Sequence, residues 1–158
     1  MRLMDPGPKD TAISAGLLIL RLGVAGYMIT HGWGKVTMLM ERQFEMFGDP
    51  IGIGPVASLV LVAVAEFLCA ILVLVGLATR LAAIPIVITM AVAAFVAHGA
   101  DPWTMSEAAM RFFSGASQSW ASKQPALTFL VVFLALVFTG AGKFSFDALI
   151  ASRSGGRG

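Results

Sequence analysis

A few side chains in this sequence offer chemistry where the surrounding chain is almost wholly apolar. Arg21 stands inside the apolar run Ala12–Thr30, and Glu66 inside a second, Val56–Ala78. A guanidinium near the centre of a bilayer costs about 2.5–3.5 kcal/mol on insertion scales, so a partner is expected. Glu66 is the other charge at comparable depth. At 1.5 Å per residue, Arg21 lies about 14 Å from the inner start of its run and Glu66 about 15 Å from the outer start of its own. The two runs are antiparallel, so this counting predicts an Arg21–Glu66 ion pair near the midplane. Such a pair would be either a clamp that fixes helix register or part of a polar pocket or proton path with Glu66 titrating. Cys69, one helical turn from Glu66, reads as a small buried hydrophobe.

The second constellation is at the outer surface. His31 and His98 end the first and third apolar runs at one level, beside Trp33, Lys35 and Trp103. Three chemistries suit them. They are ordinary interfacial histidines, or they hydrogen-bond the head group of a quinone whose tail lies between helices, or they ligate a haem as a bis-histidine pair. Haem has no other signal in the chain, and two histidines are too few for a metal centre, so neither a haem nor a metal is expected. The candidate ligand-binding set is His31, Lys35, Glu66, His98, Trp33 and Trp103.

The elements that must position these residues are membrane helices. The chain has 158 residues, 58% of them hydrophobic and 13% charged, against about 25% charged in soluble domains. The apolar runs fall at residues 12–30, 56–78, 81–98 and 126–141, each near the roughly 20 residues needed to cross a bilayer. Helices satisfy their own backbone there, which predicts an all-α, four-helix transmembrane bundle forming one domain. Thr79 and Arg80 alone separate the second and third runs, so these form a hairpin. Gly16, Gly23 and Gly26 on the first run and Ala63 and Ala70 on the second would let helices approach closely. The acidic Asp5 and Asp10, and Arg21 within the first run, argue against a cleavable signal peptide.

The two long outer connections carry apolar residues at helical spacing: Met40, Phe44 and Phe47 in one, and Met105, Ala109 and Phe112 in the other. Both are expected to be amphipathic helices in the interface or short helices packed on the bundle mouth. Asp101-Pro102 is the expected start of the second, as N-cap and first helical residue. Arg2, Lys9, Arg80, Lys143, Arg153 and Arg157 fall on the side of the termini and Lys35, Arg42, Arg111 and Lys123 on the other, which places both termini in the cytoplasm by the positive-inside rule. Arg80, Lys143 and Asp147 form an expected inner-surface collar. In it Arg80 snorkels to lipid phosphates, and Asp147 pairs with Arg80 or caps a short terminal helix; a docking patch is the alternative. Residues 152–158 read as a disordered tail. The net charge of +2 comes with no Lys/Arg cluster, so nucleic acid is excluded as a partner. A single cysteine excludes an internal disulfide and a Cys-x-x-Cys pair.

An ordered set of short motifs runs through this framework: Arg21-Leu22-Gly23, His31-Gly32-Trp33-Gly34-Lys35, Ala65-Glu66, Gly76-Leu77-Ala78-Thr79-Arg80-Leu81-Ala82, and Gly140-Ala141-Gly142-Lys143-Phe144-Ser145-Phe146-Asp147. Together they resemble the DoxX family of small bacterial membrane proteins. The resemblance implies a four-helix bundle in the bacterial inner (plasma) membrane. It also implies association with redox chemistry: a small quinol oxidase subunit, a thiosulfate:quinone oxidoreductase subunit in the related DoxD branch, or a partner of soluble enzymes in oxidative-stress complexes. The matching positions are Arg21, His31, Lys35, Glu66, Thr79, Arg80, Lys143 and Asp147, to which the family assigns no firm roles. Ala141 and Phe144 stand where the family motif often has proline and tyrosine.

Three function classes follow. The first is a quinone-interacting or anchoring subunit of a membrane oxidoreductase complex, which needs a partner because the chain has no haem, flavin or iron–sulfur signature. The second is a non-catalytic scaffold or assembly factor, and the third a carrier of protons or a small solute. The expected partners are the lipid bilayer and other subunits of a redox complex, with a homo-oligomer also open.

Overall fold

The computed structural model describes residues 5–7 and 10–154. Arg2, Lys9 and Arg157, which entered the charge comparison, lie outside the described residues, as do positions 155–158 of the expected tail. Residues 152–154 are not tail, because they complete the last helix.

The described residues are helical and contain no strand. Helix α1 spans Thr11–Met40, α2 Pro55–Val75 and α3 Thr79–Ala97, and each of the three is long and apolar enough to cross a membrane. A short amphipathic helix, α4, follows at Met105–Phe113. Then come α5, apolar but shorter, at Gln124–Thr139, and α6 at Phe146–Ser154. Helix α1 packs along α2, α2 along α3, and α3 along α5. The core where they meet includes Ala25, Met28, Ala70, Val73, Ala83, Ile86, Phe133 and Leu136, all fully buried. The opposite faces carry exposed Ile19, Leu22, Tyr27, Leu61, Leu68, Ile88, Val131 and Phe138. A surface of that composition suits lipid rather than water.

Helix α1 runs ten residues beyond Thr30, and that length changes the register with α2. Its buried stripe is Ser14, Leu17, Arg21, Ala25, Met28 and Gly32, the three-four spacing of one helix face. Gly32 meets the backbone of α2 directly, since a Cβ there would lie 2.5 Å from the Glu66 carbonyl oxygen and the Phe67 nitrogen. Glu66 is therefore level with Gly32, about 16 Å along α1 from Arg21. The glycines expected at the helix contact, Gly16, Gly23 and Gly26, have open space where a Cβ would stand. Ala63 and Ala70 are buried.

The predicted Arg21–Glu66 ion pair does not form. Arg21 is fully buried, but its Nη1 donates to the carbonyls of Val73 (3.2 Å) and Leu74 (3.1 Å), and Nη2 to that of Phe144 (2.6 Å). A helical side chain leans toward its own N-terminus, and α1 begins at the end of the bundle where α2 finishes. The fork thus arrives at the last turn of α2, whose carbonyls lack the N–H four residues on that a continuing helix would supply and carry the negative end of the helix dipole.

Arg80 repeats the device. It is buried, and its guanidinium donates to Asp5 O (3.0 Å), Val137 O (3.3 Å) and Thr139 O (3.4 Å), the last two at the C-terminus of α5. It neither snorkels outward nor pairs with Asp147, because the orphan carbonyls of α5 occupy its donors. Asp147 supplies the complementary charge at a helix N-terminus: its carboxylate accepts from the backbone N–H of Ala78 (2.7 Å) and Thr79 (3.0 Å), where α3 begins. The hinge is therefore Gly76–Ala78, with Thr79 and Arg80 in the first turn of α3. Gly76 (φ 75°) ends α2 with a paired cap, Leu77 N–H to Leu72 O (2.9 Å) and Gly76 N–H to Val73 O (3.1 Å). Ala78 holds the left-handed φ of 49°, a conformation with a cost for alanine that the Asp147 bond offsets. Lys143, the third expected collar residue, is exposed; its side chain meets the Thr11 hydroxyl and its N–H donates to Ser14 Oγ (3.1 Å).

The first outer connection lacks the expected helix, and the second contains one that starts later than expected. Arg42 takes a positive φ of 56° after α1, and the segment Phe44–Met46 is a single 3₁₀ turn rather than an amphipathic helix. The second connection does contain a helix, α4, but its N-cap is Thr104, whose hydroxyl accepts from Glu107 N–H (3.2 Å). Asp101 stands three residues ahead of that cap, and its carboxylate meets His98 instead.

Candidate ligand-binding site

The register that separates Arg21 from Glu66 brings Glu66 toward the outer histidines. The second half of α1, the first half of α2, the last turns of α3 and the first turns of α5 diverge around a cavity of about 510 Å³. His31 and Lys35 of α1, Glu66 of α2 and His98 after α3 all line it. Phe129, Met28 and Trp120 line it too, and the 47–51 segment closes one side through Phe47, Pro50 and Ile51. A mostly apolar concavity of this size with a few convergent polar groups has the character of a small-molecule site.

Two of the helices that wall the cavity depart from α geometry beside it. Val64–Cys69 of α2 and Ala93–Ala97 of α3 are π-helical turns. Such turns widen the backbone by one residue and are common at functional positions. Here one carries Glu66 and the other ends at His98. Glu66 is 94% buried by its 6% exposure, and its carboxyl has no hydrogen-bond or ion-pair partner among the described residues. Lys35 lines the same cavity.

Two further acids stand behind the wall. His98 Nδ1 lies 2.7 Å from Asp101 Oδ2. Ser58 Oγ donates to Asp49 Oδ1 (2.7 Å), and Asp49 also accepts from Ile53 N–H (3.1 Å) and Gly54 N–H (2.6 Å). The Ser58 hydroxyl, with these backbone amides, holds the Asp49 carboxyl below its ordinary range. Asp49 thereby pins the 49–54 turn that covers the cavity.

Of the residues singled out from sequence, Trp33 and Trp103 stand apart from the cavity. Trp33 is exposed and packs on Phe67 (5.7 Å between rings), while Trp103 is exposed beneath Lys123 Nζ, 4.7 Å from its ring centre. The tryptophan at the cavity is Trp120, packed on Phe112 and Phe113. No periodic pattern marks Trp120, which follows a stretch of small polar residues. Phe129, edge-on to His31 (5.7 Å between rings), is indistinguishable in sequence from the other phenylalanines of α5. Ser58 and Asp49 share the i, i+9 spacing of no helix or strand, so sequence had no signal for their contact.

A DoxX family model matches residues 16–99. The chain belongs to the DoxX family. The matched stretch takes in α1 from its second turn, all of α2 and α3, and with them Arg21, His31, Lys35, Glu66, Arg80 and His98. It stops short of Asp101 and of the 140–147 motif. Comparisons with curated proteins and with solved structures give no match.

Proposed function

We propose that this DoxX protein is a multi-pass inner-membrane subunit that binds a quinone-class ligand in the outer cavity and serves a membrane-associated oxidoreductase complex. In this reading α5 is a fourth crossing segment packed along α3, α4 lies in the interface with Met110 and Phe113 toward lipid, and both termini are cytoplasmic.

The observation that carries the proposal is the wall of the cavity. Leu61 and Ile88 line it and are also 57% and 59% exposed on the lipid-facing surface. An opening at that level admits an amphiphile sideways from the bilayer, with its ring among Lys35, Glu66 and the histidines and its tail in lipid. Beneath the cavity the core is closed by Ala25, Val73, Ala83, Ile86 and Phe133, all fully buried. A closed floor leaves no continuous channel through the bundle in this conformation. The chain supplies hydrogen-bonding groups and an apolar slot, and electron transfer belongs to a partner.

Trp120 provides the test. Purified protein in mild detergent is titrated with a decyl-substituted benzoquinone, and indole fluorescence is followed. Saturable quenching in the micromolar range, halved or more in Trp120→Phe, is expected, together with lipid-soluble quinone extracted from the membrane-purified protein. Non-saturable quenching and no extracted quinone would leave the chain as a non-catalytic membrane scaffold.

A further inference from the structure

The end of the bundle opposite the cavity carries apolar side chains that the described residues leave open. The backbone beneath them is held firmly. Arg21 Nη2 donates to Phe144 O (2.6 Å), Lys143 N–H to Ser14 Oγ (3.1 Å) and Asp147 N–H to Gly76 O (2.9 Å), while the Asp147 carboxylate takes the first N–H groups of α3. Residues 143–147 are thus fixed to α1 and to the α2–α3 hinge, at the level where those helices leave the membrane. Ser145 Oγ accepts from Ala148 N–H (3.2 Å), and α6 starts there. Phe144, Phe146, Leu149 and Ile150 are nevertheless 43–53% exposed.

Charge along this segment is one-sided. Lys143 and Arg153 are exposed at its two ends, and Lys143 Nζ stands 5.3 Å from the Phe144 ring centre. Asp147, the one acid among residues 140–154, is buried and occupied by the Ala78 and Thr79 amides. Asp5 and Asp10, the other acids described at this end, accept from Gly7 and Ile13 N–H (2.9 Å each).

We infer that α6 lies in the head-group layer at this end of the bundle, where Lys143 and Arg153 each meet the phosphate of an anionic phospholipid and Phe144, Phe146, Leu149 and Ile150 turn toward its acyl chains. The outer cavity plays no part in this. A nine-residue helix is about 14 Å long. Standing straight out of the membrane, it would leave Leu149 and Ile150 in water; lying along the head groups, it buries both. A basic side chain beside an aromatic ring suits that boundary, because the ring sits at the edge of the acyl region while the ammonium reaches the phosphate. A soluble protein would have to displace head groups to cover Phe144 and Phe146, since both are anchored beside the hinge. Lipid is therefore the occupant that the geometry favours.

The test reconstitutes the full chain in bilayers of equimolar phosphatidylglycerol and phosphatidylcholine, extracts it in mild detergent and quantifies the phospholipid that stays bound. Phosphatidylglycerol should be enriched about 10-fold over phosphatidylcholine, since one basic side chain at an anionic surface is worth about 5-fold in affinity. Arg153→Gln should lower the enrichment about 3-fold, and Lys143→Gln added to it should leave about 2-fold or less, at unaltered helix content. A nitroxide attached at Leu149→Cys, in a Cys69→Ala background, should collide with oxygen dissolved in the bilayer more than with an aqueous nickel chelate. Equal retention of the two lipids by the wild type, an enrichment unaltered in both variants, or a nitroxide that meets the nickel chelate freely would overturn the inference. The last of these would leave α6 standing in water, open to a soluble protein.

Discussion

Replacing Arg21 with methionine tests the account of how a charge is tolerated inside this bundle. The substitution keeps length and volume and removes the fork that holds Val73, Leu74 and Phe144 carbonyls at 2.6–3.2 Å. Charge-assisted bonds contribute about 1.5–3 kcal/mol each, less the desolvation of the guanidinium, so the net loss should be about 3–5 kcal/mol. Arg21→Lys keeps the charge but not the planar fork, and should retain about half of the stabilisation. The assay is reversible unfolding in mixed micelles by SDS titration, followed by circular dichroism. Two double-mutant cycles locate the interaction. Arg21→Met with Glu66→Gln should be additive within about 0.5 kcal/mol, because the two sites are far apart and share no partner. Arg21→Met with Asp147→Asn should show about 1–2 kcal/mol of coupling, since both side chains hold the α2–α3 hinge, Arg21 against Gly76 and Asp147 on Ala78 and Thr79. Coupling above about 1.5 kcal/mol to Glu66, with none to Asp147, would refute the register and restore a midplane ion pair.

Two further predictions follow from the loop end and the helix contact. Gly32→Ala forces a methyl against the backbone of Glu66 and Phe67 and should destabilise by about 1–3 kcal/mol, whereas Gly23→Ala, with open space around it, should be neutral or stabilising by up to about 1 kcal/mol; comparable losses from both would place the helix contact elsewhere. Because the Asp49 carboxyl is held below its ordinary range, its contribution to the 49–54 turn is present above the unfolded value of about 4 and fades as pH falls through the lower folded value; the protection of the Ile53 and Gly54 amides, taken relative to the intrinsic exchange rate at each pH, should fall on acidification in the wild type, and in Asp49→Asn it should be low at neutral pH as well.

The helical class and the rough positions of the apolar helices were legible in the sequence, because transfer of apolar side chains is a local property that adds along the chain. The outer constellation of His31, Lys35 and His98 was also legible as a level, since each ends or follows an apolar run. Glu66 was placed at a different level from these, and the structure moved it. The error arose at the end of α1: hydropathy falls at Thr30, but the helix continues to Met40, so counting from the edge of the apolar run displaced α1 against α2 by three turns.

What apolar patterning determined, then, is that the chain is helical and membrane-suited, with buried charges that require partners. Which partners they find was decided by tertiary structure alone. Arg21 and Arg80 each donate to C-terminal carbonyls of a neighbouring helix, joined by Phe144 O and Asp5 O respectively, and Asp147 accepts from the first N–H groups of α3. Those partners are backbone atoms, identical at every residue and therefore invisible in a sequence, and only the packing of helix ends shows which of them are left unpaired.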